Sequence, residues 1–316
     1  MSALICGSLA YDTIMVFDGR FREYILPDKI HMLNVSFLVP GMRREFGGVA
    51  GNIAYNMKLL GEEGLPMGVV GHDFADYRKW LDKWGVDRRY VRELISDFTA
   101  QAYITTDLDD NQITAFHPGA MNHSHVNHVP GDAGIKVGIV APDGRDGMMG
   151  HAAEFAEHGI PFVFDPGQGL PMFNGEELLA FVEQATWVAV NDYESQMLQE
   201  RTGLSMEQIQ ERVEALVVTR GGEGSYVYTE GKRIDIPAAK PASLEDPTGC
   251  GDAFRAGLLF GLLRGLDWEL TGRIASLMGA IKIEKHGTQN HRFTRDEFAA
   301  RFKENFDMSV DDIIKD

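Results

Sequence analysis

The sequence predicts an α/β fold, a doubly wound and mainly parallel sheet flanked by helices, and three observations carry that expectation. First, Val137 to Val140, Phe162 to Phe164, Trp187 to Val190 and Leu216 to Val218 are short apolar runs of strand length. Continuous rather than alternating hydrophobicity is what a strand covered on both faces requires. Second, helical stretches separate these runs, as in successive βαβ units. Third, the alternation is already present near the N-terminus. A strand over Ser2 to Leu9 is followed by a helix over Gly48 to Leu60 stopped by Gly61, a strand over Met67 to Gly71, and a helix over Asp76 to Trp84 stopped by Gly85.

Two segments break the pattern. From Thr13 to Met42 the chain runs in short alternating pieces, including Lys29 to Val39 between Pro27 and Pro40, which reads as β-structure. Thr99 to Phe116 is a second β-rich stretch, a hairpin of Gln101 to Thr106 and Gln112 to Phe116 around the turn Asp107 to Asn111. The two are expected to pair. A further hairpin lies near Ser225 to Ile236, and the chain from Asp252 through Phe302 is largely helical.

With 316 residues and 44% hydrophobic content the chain can bury a large core. Its formal charge of −17 disfavours nucleic acid and anionic membranes, whose binding draws on Lys and Arg. It does not exclude a single nucleotide, which local N–H groups and one or two cations can hold. Cys6 and Cys250 form no disulfide framework or zinc spacing, so the thiols read as reduced and the protein as cytoplasmic. The opening residues lack a basic segment and read as a buried strand rather than a signal peptide. His117, His123, His125 and His128 lie in a loop without cysteines and read as solvated rather than metal-binding.

The most informative segment is Asp246-Pro247-Thr248-Gly249-Cys250-Gly251-Asp252-Ala253-Phe254. Gly249 and Gly251 allow a tight turn with exposed N–H groups, and the apolar run Ala253 to Leu263 starts a helix whose positive dipole end faces that turn. Asp252 would stand in the first helical turn beside a bound anion, where a carboxylate can take a proton from an attacking hydroxyl. The combination suits phosphoryl transfer.

This segment resembles the C-terminal signature of the ribokinase-like (PfkB) carbohydrate and nucleoside kinases. Phe46-Gly47-Gly48-Val49-Ala50-Gly51-Asn52 is similar to that family's N-terminal diglycine signature, and the two stand in the family's order. The resemblance implies a single kinase domain over residues 1–316 with β-lid insertions at about 13–45 and 98–120, covering a nucleoside or sugar. It implies Asp252 as base, the amides of Gly249, Cys250 and Gly251 as the anion hole, and Asp12, Gly47, Gly48 and Asn52 around the substrate hydroxyls. Phe37 and Phe116 would wall a purine base. Asn191-Asp192-Tyr193-Glu194 looks like the family's Asn-x-x-Glu motif, with Glu194 acting on Mg2+ through water. Thr219, Gly221, Gly222 and Gly224 resemble its phosphate loop, and Ala280, Gly287 and Asn290 fall where the family holds the adenine of ATP.

Val49, where ribokinases tend to carry Lys, and the Gly287-Thr288-Gln289 turn place the resemblance nearest the bacterial adenosine kinases, implying ATP-dependent phosphorylation of the 5′-hydroxyl of adenosine. A fructokinase- or ribokinase-type sugar kinase is the alternative, and a nucleoside-binding protein without catalysis comes from a different class. An exposed lid edge could join two copies. Pro247 and Cys250 replace the commoner Thr and Ala, which leaves activation by K+ open. No G-x-x-x-x-G-K sequence followed by Ser or Thr occurs, so a P-loop is not expected.

Overall fold

A computed structural model describes residues 2–25, 31–109 and 111–314. The strands are β1 (Ser2–Cys6), β2 (Ala10–Val16), β3 (Gly41–Gly47), β4 (Glu63–Gly71), β5 (Tyr90–Leu94), β6 (Ala100–Thr106), β7 (Gln112–His117), β8 (Ile135–Val140), β9 (Phe162–Phe164), β10 (Trp187–Asn191), β11 (Ala215–Thr219), β12 (Ser225–Thr229) and β13 (Lys232–Ile236). The helices are α1 (Phe21–Tyr24), α2 (Val49–Leu60), α3 (Ala75–Lys83), α4 (Arg145–Glu157), α5 (Gly175–Gln184), α6 (Asp192–Thr202), α7 (Met206–Gln210), α8 (Cys250–Arg264), α9 (Trp268–Ile283), α10 (Arg295–Phe306) and α11 (Asp311–Ile314).

Among the described residues a nine-stranded sheet runs β13-β12-β11-β10-β9-β8-β1-β4-β5. It is parallel from β5 to β11, and β12 and β13 add an antiparallel edge. Alternate residues feed two cores. Ala3, Ile5, Val137, Ile139 and Val217 pack under α2, α3, α8 and α9, whereas Leu4, Cys6, Val188, Val190 and Leu216 pack under α4 to α7. The doubly wound arrangement expected from the apolar runs is therefore present, with helices on both faces.

A second, four-stranded sheet has the order β3-β2-β6-β7. The two β-rich segments do pair, β2 running parallel to β6. Three details depart from the sequence reading. The strand expected over Ser2 to Leu9 stops at Cys6, and a separate strand, β2, carries Asp12. The strand of the first segment is Gly41–Gly47, not the run 29–39. Met32, Leu33 and Leu38 are exposed, and residues 33–39 have no regular structure. Hydrogen bonding to β2 makes the charged stretch around Arg43 and Arg44 a strand, and alternating apolar residues without a partner strand do not make one. Lys29 and Ile30 of that run, and Asp110 of the hairpin turn, lie outside the described residues. The edge strand β5 was not anticipated, because Arg92 and Glu93 interrupt its apolar character.

Helix α8 leans closely on α9. A Cβ at Gly257 would lie 2.5 Å from Ala275 Cα and 2.8 Å from its N, so the two backbones meet there without an intervening side chain. Gly257→Ala is expected to destabilise the protein by about 1–3 kcal/mol, the usual cost of overpacking. Urea unfolding would show a lower midpoint at unchanged slope.

Candidate active site

The parallel strands end on one side of the sheet, and several of the residues singled out in the sequence lie there, where open α/β sheets hold their ligands. Asn191 closes β10, Thr219 closes β11, and Asp165 follows β9. Helix α8 points its N-terminus at the same place. Gly249, its N-cap, has φ 80°, in the left-handed region that favours glycine. Cys250 N–H donates to Pro247 O, and Thr248 N–H to Asp246 Oδ1 at 2.9 Å. The N–H groups of Gly251 and Asp252 belong to the first turn, where helices offer no internal acceptor. A side chain at 251 would meet nothing within 4 Å, so glycine leaves that space open in front of the amides.

Asp252 is part-buried and fixed by one strong contact. Asn52 Nδ2 on α2 donates to its Oδ2 at 2.7 Å. Burial raises the carboxyl pKa to about 7; the Asn52 bond opposes this, the charge of Asp165 adds to it, and Arg255 counteracts. Asn52 itself is oriented from behind. Its Oδ1 accepts from Gln289 Nε2 at 2.9 Å, Gln289 also donates to Tyr77 OH at 2.7 Å, and Trp80 Nε1 donates to Gln289 Oε1 at 2.8 Å. With the carbonyl oxygen of Asn52 so engaged, its NH2 must face Asp252. Gly51 makes the arrangement possible, since a Cβ there would fall 2.0 Å from Tyr77 Oη.

Asp12 faces the same region from the four-stranded sheet. Burial, then the charges of Glu45 and Asp246, push its carboxyl up to about 6. Glu45, Asp12, Ala102 and Phe116 lie directly opposite one another on β3, β2, β6 and β7, and cross-strand neighbours share a face. Phe116 therefore stands on the Asp12 face, half-exposed. Phe37 instead packs in an aromatic cluster with Phe17, Phe21 and Tyr24. The diglycine is demanded by neighbours within the protein: a Cβ at Gly47 would strike Asp12 Oδ2 at 2.5 Å, and one at Gly48 would lie 2.6 Å from Ser8 O and Ala10 N.

At the end of β10, Asn191 and Glu194 form a capping box on α6. Asn191 Oδ1 accepts from Glu194 N, and Glu194 Oε2 from Asn191 N. Glu194 is partly desolvated, which raises its pKa, and the neighbouring Asp165 raises it further. Among the described residues no group of three or more His, Cys, Asp or Glu could hold a metal ion. The one carboxylate of this box, Glu194, suits a divalent ion that keeps most of its water. Arg220, in the turn after β11, pairs with Glu223 and stacks on Tyr226. Gly221 and Gly222 border open space, while a Cβ at Gly224 would strike Ile236 O. Ala280 packs in the cluster of α8, α9 and α10, and it is its neighbour Gly279 that faces Cys250 O. Gly287 N–H donates to Asp246 Oδ2, and Asn290 Nδ2 donates to Glu45 Oε2.

The sequence reading missed four residues, Gln289, Lys282, Arg255 and Asp165. Gln289 orients Asn52, and Lys282 is wholly buried behind the Asp246–Cys250 turn. Arg255, one turn after Asp252, forms a buried two-point ion pair with Asp165 at 3.1 Å and leaves its Nη1 without a partner. A charged residue inside the apolar helical runs Ala253–Leu263 and Ile274–Ile283 was the available signal for Arg255 and Lys282. The native state binds the Asp252 proton up to about pH 7, whereas an unfolded Asp releases it near ~3.9. Stability contributed by this group therefore falls as pH rises through that window. Asp252→Asn is expected to raise the melting temperature at pH 8 and to leave it nearly unchanged at pH 4, as read by thermal unfolding.

Comparison with known proteins agrees with this geometry. Residues 12–294 match the pfkB family of carbohydrate kinases. A nucleoside kinase of Methanocaldococcus jannaschii is 33% identical over 272 residues, 85% of this chain and 89% of that protein. The structure of the Burkholderia thailandensis nucleoside kinase in complex with inosine is 52% identical, superposes with a TM-score of 0.89, and covers 97% of this chain and 99% of that one. The same enzyme in complex with ADP-inosine is 54% identical with a TM-score of 0.86, covering 97% of each chain. Fold, signatures and extent of match agree, and the chain belongs to the pfkB family of carbohydrate kinases, with the ribokinase-like fold.

Proposed function

We propose that the protein is an ATP-dependent nucleoside kinase that phosphorylates the 5′-hydroxyl of adenosine or a closely related purine nucleoside. The observation that carries this reading is a carboxyl with a pKa near 7, Asp252, held by Asn52 at the amide-lined N-terminus of α8 and facing Asp12. Similarity to nucleoside kinases, one of them in complex with inosine, supports a nucleoside over a free sugar.

In this reading Asp12 and Asn52 hold the ribose hydroxyls, and Asp252 accepts the 5′-hydroxyl proton as that oxygen bonds to the γ-phosphorus. The bond from the γ-phosphorus to the bridging oxygen breaks, and ADP leaves. Donors from the 249–251 turn meet the charge on the phosphoryl oxygens, an interaction whose loss typically costs a factor of about 10²–10³ in rate. Asn191 and Glu194 would hold Mg2+ through water, and the ion would neutralise phosphate charge. Gly221, Gly222 and Gly224 would border the phosphates, and the Gly279–Ala280 and Gly287–Asn290 segments the adenine. Phe116 would lie against the nucleoside base. Both cysteines are unpaired, which suits the cytoplasm, and among the described residues no helix is long and apolar enough to cross a membrane.

The four-stranded sheet acts as a lid that excludes water in this reading, and it also supports a homodimer. Every residue of β7, an edge strand, is exposed, including Ile113 and Phe116, and such an edge is a template for pairing. Sedimentation is expected to give a dimer, and Ile113→Lys a monomer.

The direct test is ADP release from ATP and Mg2+ with adenosine, inosine, ribose and fructose offered separately. Adenosine is expected to turn over fastest. Its kcat/KM should rise with pH to a plateau above about 7, because Asp252 must be ionised to act. Asp252→Asn should lose about 10²–10⁴ in kcat. Preference for fructose would overturn the substrate, and an unchanged Asp252→Asn rate would overturn the base.

A further inference from the structure

Lys282 is fully buried at the end of α9. Its ammonium donates to two main-chain carbonyls, Asp246 O at 2.9 Å and Lys285 O at 3.0 Å. No carboxylate is hydrogen-bonded to it among these contacts, which is an unusual way to bury a lysine. Burial lowers its pKa, and the charge of Asp246, followed by Cys250 and Asp252, works against that. The two carbonyls belong to the two segments that build the phosphate-transfer corner. Asp246 opens the turn leading to Gly249, Cys250 and Gly251, and Lys285 precedes the loop that carries Gln289, which orients Asn52. The same corner is closed by Ile283 O, which accepts from Glu245 N and Asp246 N, and by the Asp246 carboxylate, which accepts from Thr248 N and Gly287 N.

A single positive charge drawn in by converging backbone carbonyls is the environment in which proteins hold a potassium ion. Resting on the kinase reading above, we infer that the Lys282 ammonium is a built-in monovalent cation, a positioning residue that sets the anion-hole turn against the Gln289 loop and makes turnover independent of added K+. The tether matters because a bound ion must be paid for at each binding event by its free concentration, whereas the ammonium is always present. The compact, three-donor ammonium suits this role better than a planar guanidinium, which spreads its charge and its donors.

The experiment is a salt series, at constant ionic strength in chloride, of choline, Li+, Na+, K+ and NH4+ on wild type, Lys282→Met and Lys282→Arg, with saturating ATP, Mg2+ and nucleoside. Wild type is expected to give the same kcat in all five salts. Lys282→Met removes the charge while keeping most of the length; its kcat in choline should fall about tenfold or more, within the range seen when anion-stabilising groups are lost. KM for the nucleoside should change far less, because the substrate hydroxyls are held elsewhere. K+ and NH4+ should restore a large part of that kcat, ahead of Li+, an outcome that a merely structural lysine does not produce. Activation of wild type by K+ would overturn the inference, and so would full activity of Lys282→Met in choline or a loss that no cation repairs. Should Lys282→Met not fold, the wild-type salt series and Lys282→Arg still decide: salt-independent wild type with an impaired, folded Arg variant supports the inference, and K+-activated wild type ends it. Failure of the kinase reading is distinguishable, since wild type would then turn over in no salt.

Discussion

The hydrogen bond between Asn52 and Asp252 is the contact on which the rest of the site depends. It joins the start of α2 to the start of α8, and with it the end of β3 in the four-stranded sheet to the glycine turn before α8. In the proposed reading, a carboxylate beside a helix end that receives phosphate has to stay close to where that charge arrives, which requires a neutral donor rather than a salt bridge to hold it. Asn52 supplies that donor, and its direction is imposed by Gln289, Tyr77 and Trp80. Glycines at 51 and 257 are the steric conditions for this, letting α2 approach Tyr77 and α8 approach α9.

The electrostatics follow from the same geometry. The chain is strongly acidic as a whole, yet among the described residues the fully or nearly fully buried Lys and Arg side chains are Arg255, in α8 itself, and Lys282, bonded to the Asp246 carbonyl of the turn before α8. Arg255 offsets Asp165, Glu194 and Asp252, and Lys282 offsets Asp246. Net charge therefore describes the surface, while local charge around the N-terminus of α8 is set by two side chains threaded through apolar helices.

Much of this was legible in the sequence, for identifiable reasons. Parallel strands buried on both faces are written as continuous apolar runs, so β8 to β11 could be placed to within a residue or two. The glycine-rich turns before α2 and α8 were visible because left-handed or crowded backbone leaves few alternatives to glycine at Gly48 and Gly249. β3 was misplaced because a strand of a thin, two-sided sheet is chosen by its partner, and its own residues, Arg43, Arg44 and Glu45 among them, carry no apolar pattern. Gln289 and Lys282 were missed for a different reason. Their roles are defined by atoms that come from segments far away in the chain, Asn52 for the first and the Asp246 carbonyl for the second.

That long-range assembly has a consequence for the protein while it is being synthesised. Asn52 and Asp252 are 200 residues apart, and Thr288 Oγ1 reaches Phe46 O across 242. The N-terminal half emerges first, and α2 then lacks the α8 surface it is shaped to meet. A nascent chain that has released everything up to Ile236 has the strands of both sheets but neither α8 nor the Gln289 loop that orients Asn52. In that interval an apolar flank of α2 is left for chaperones to cover.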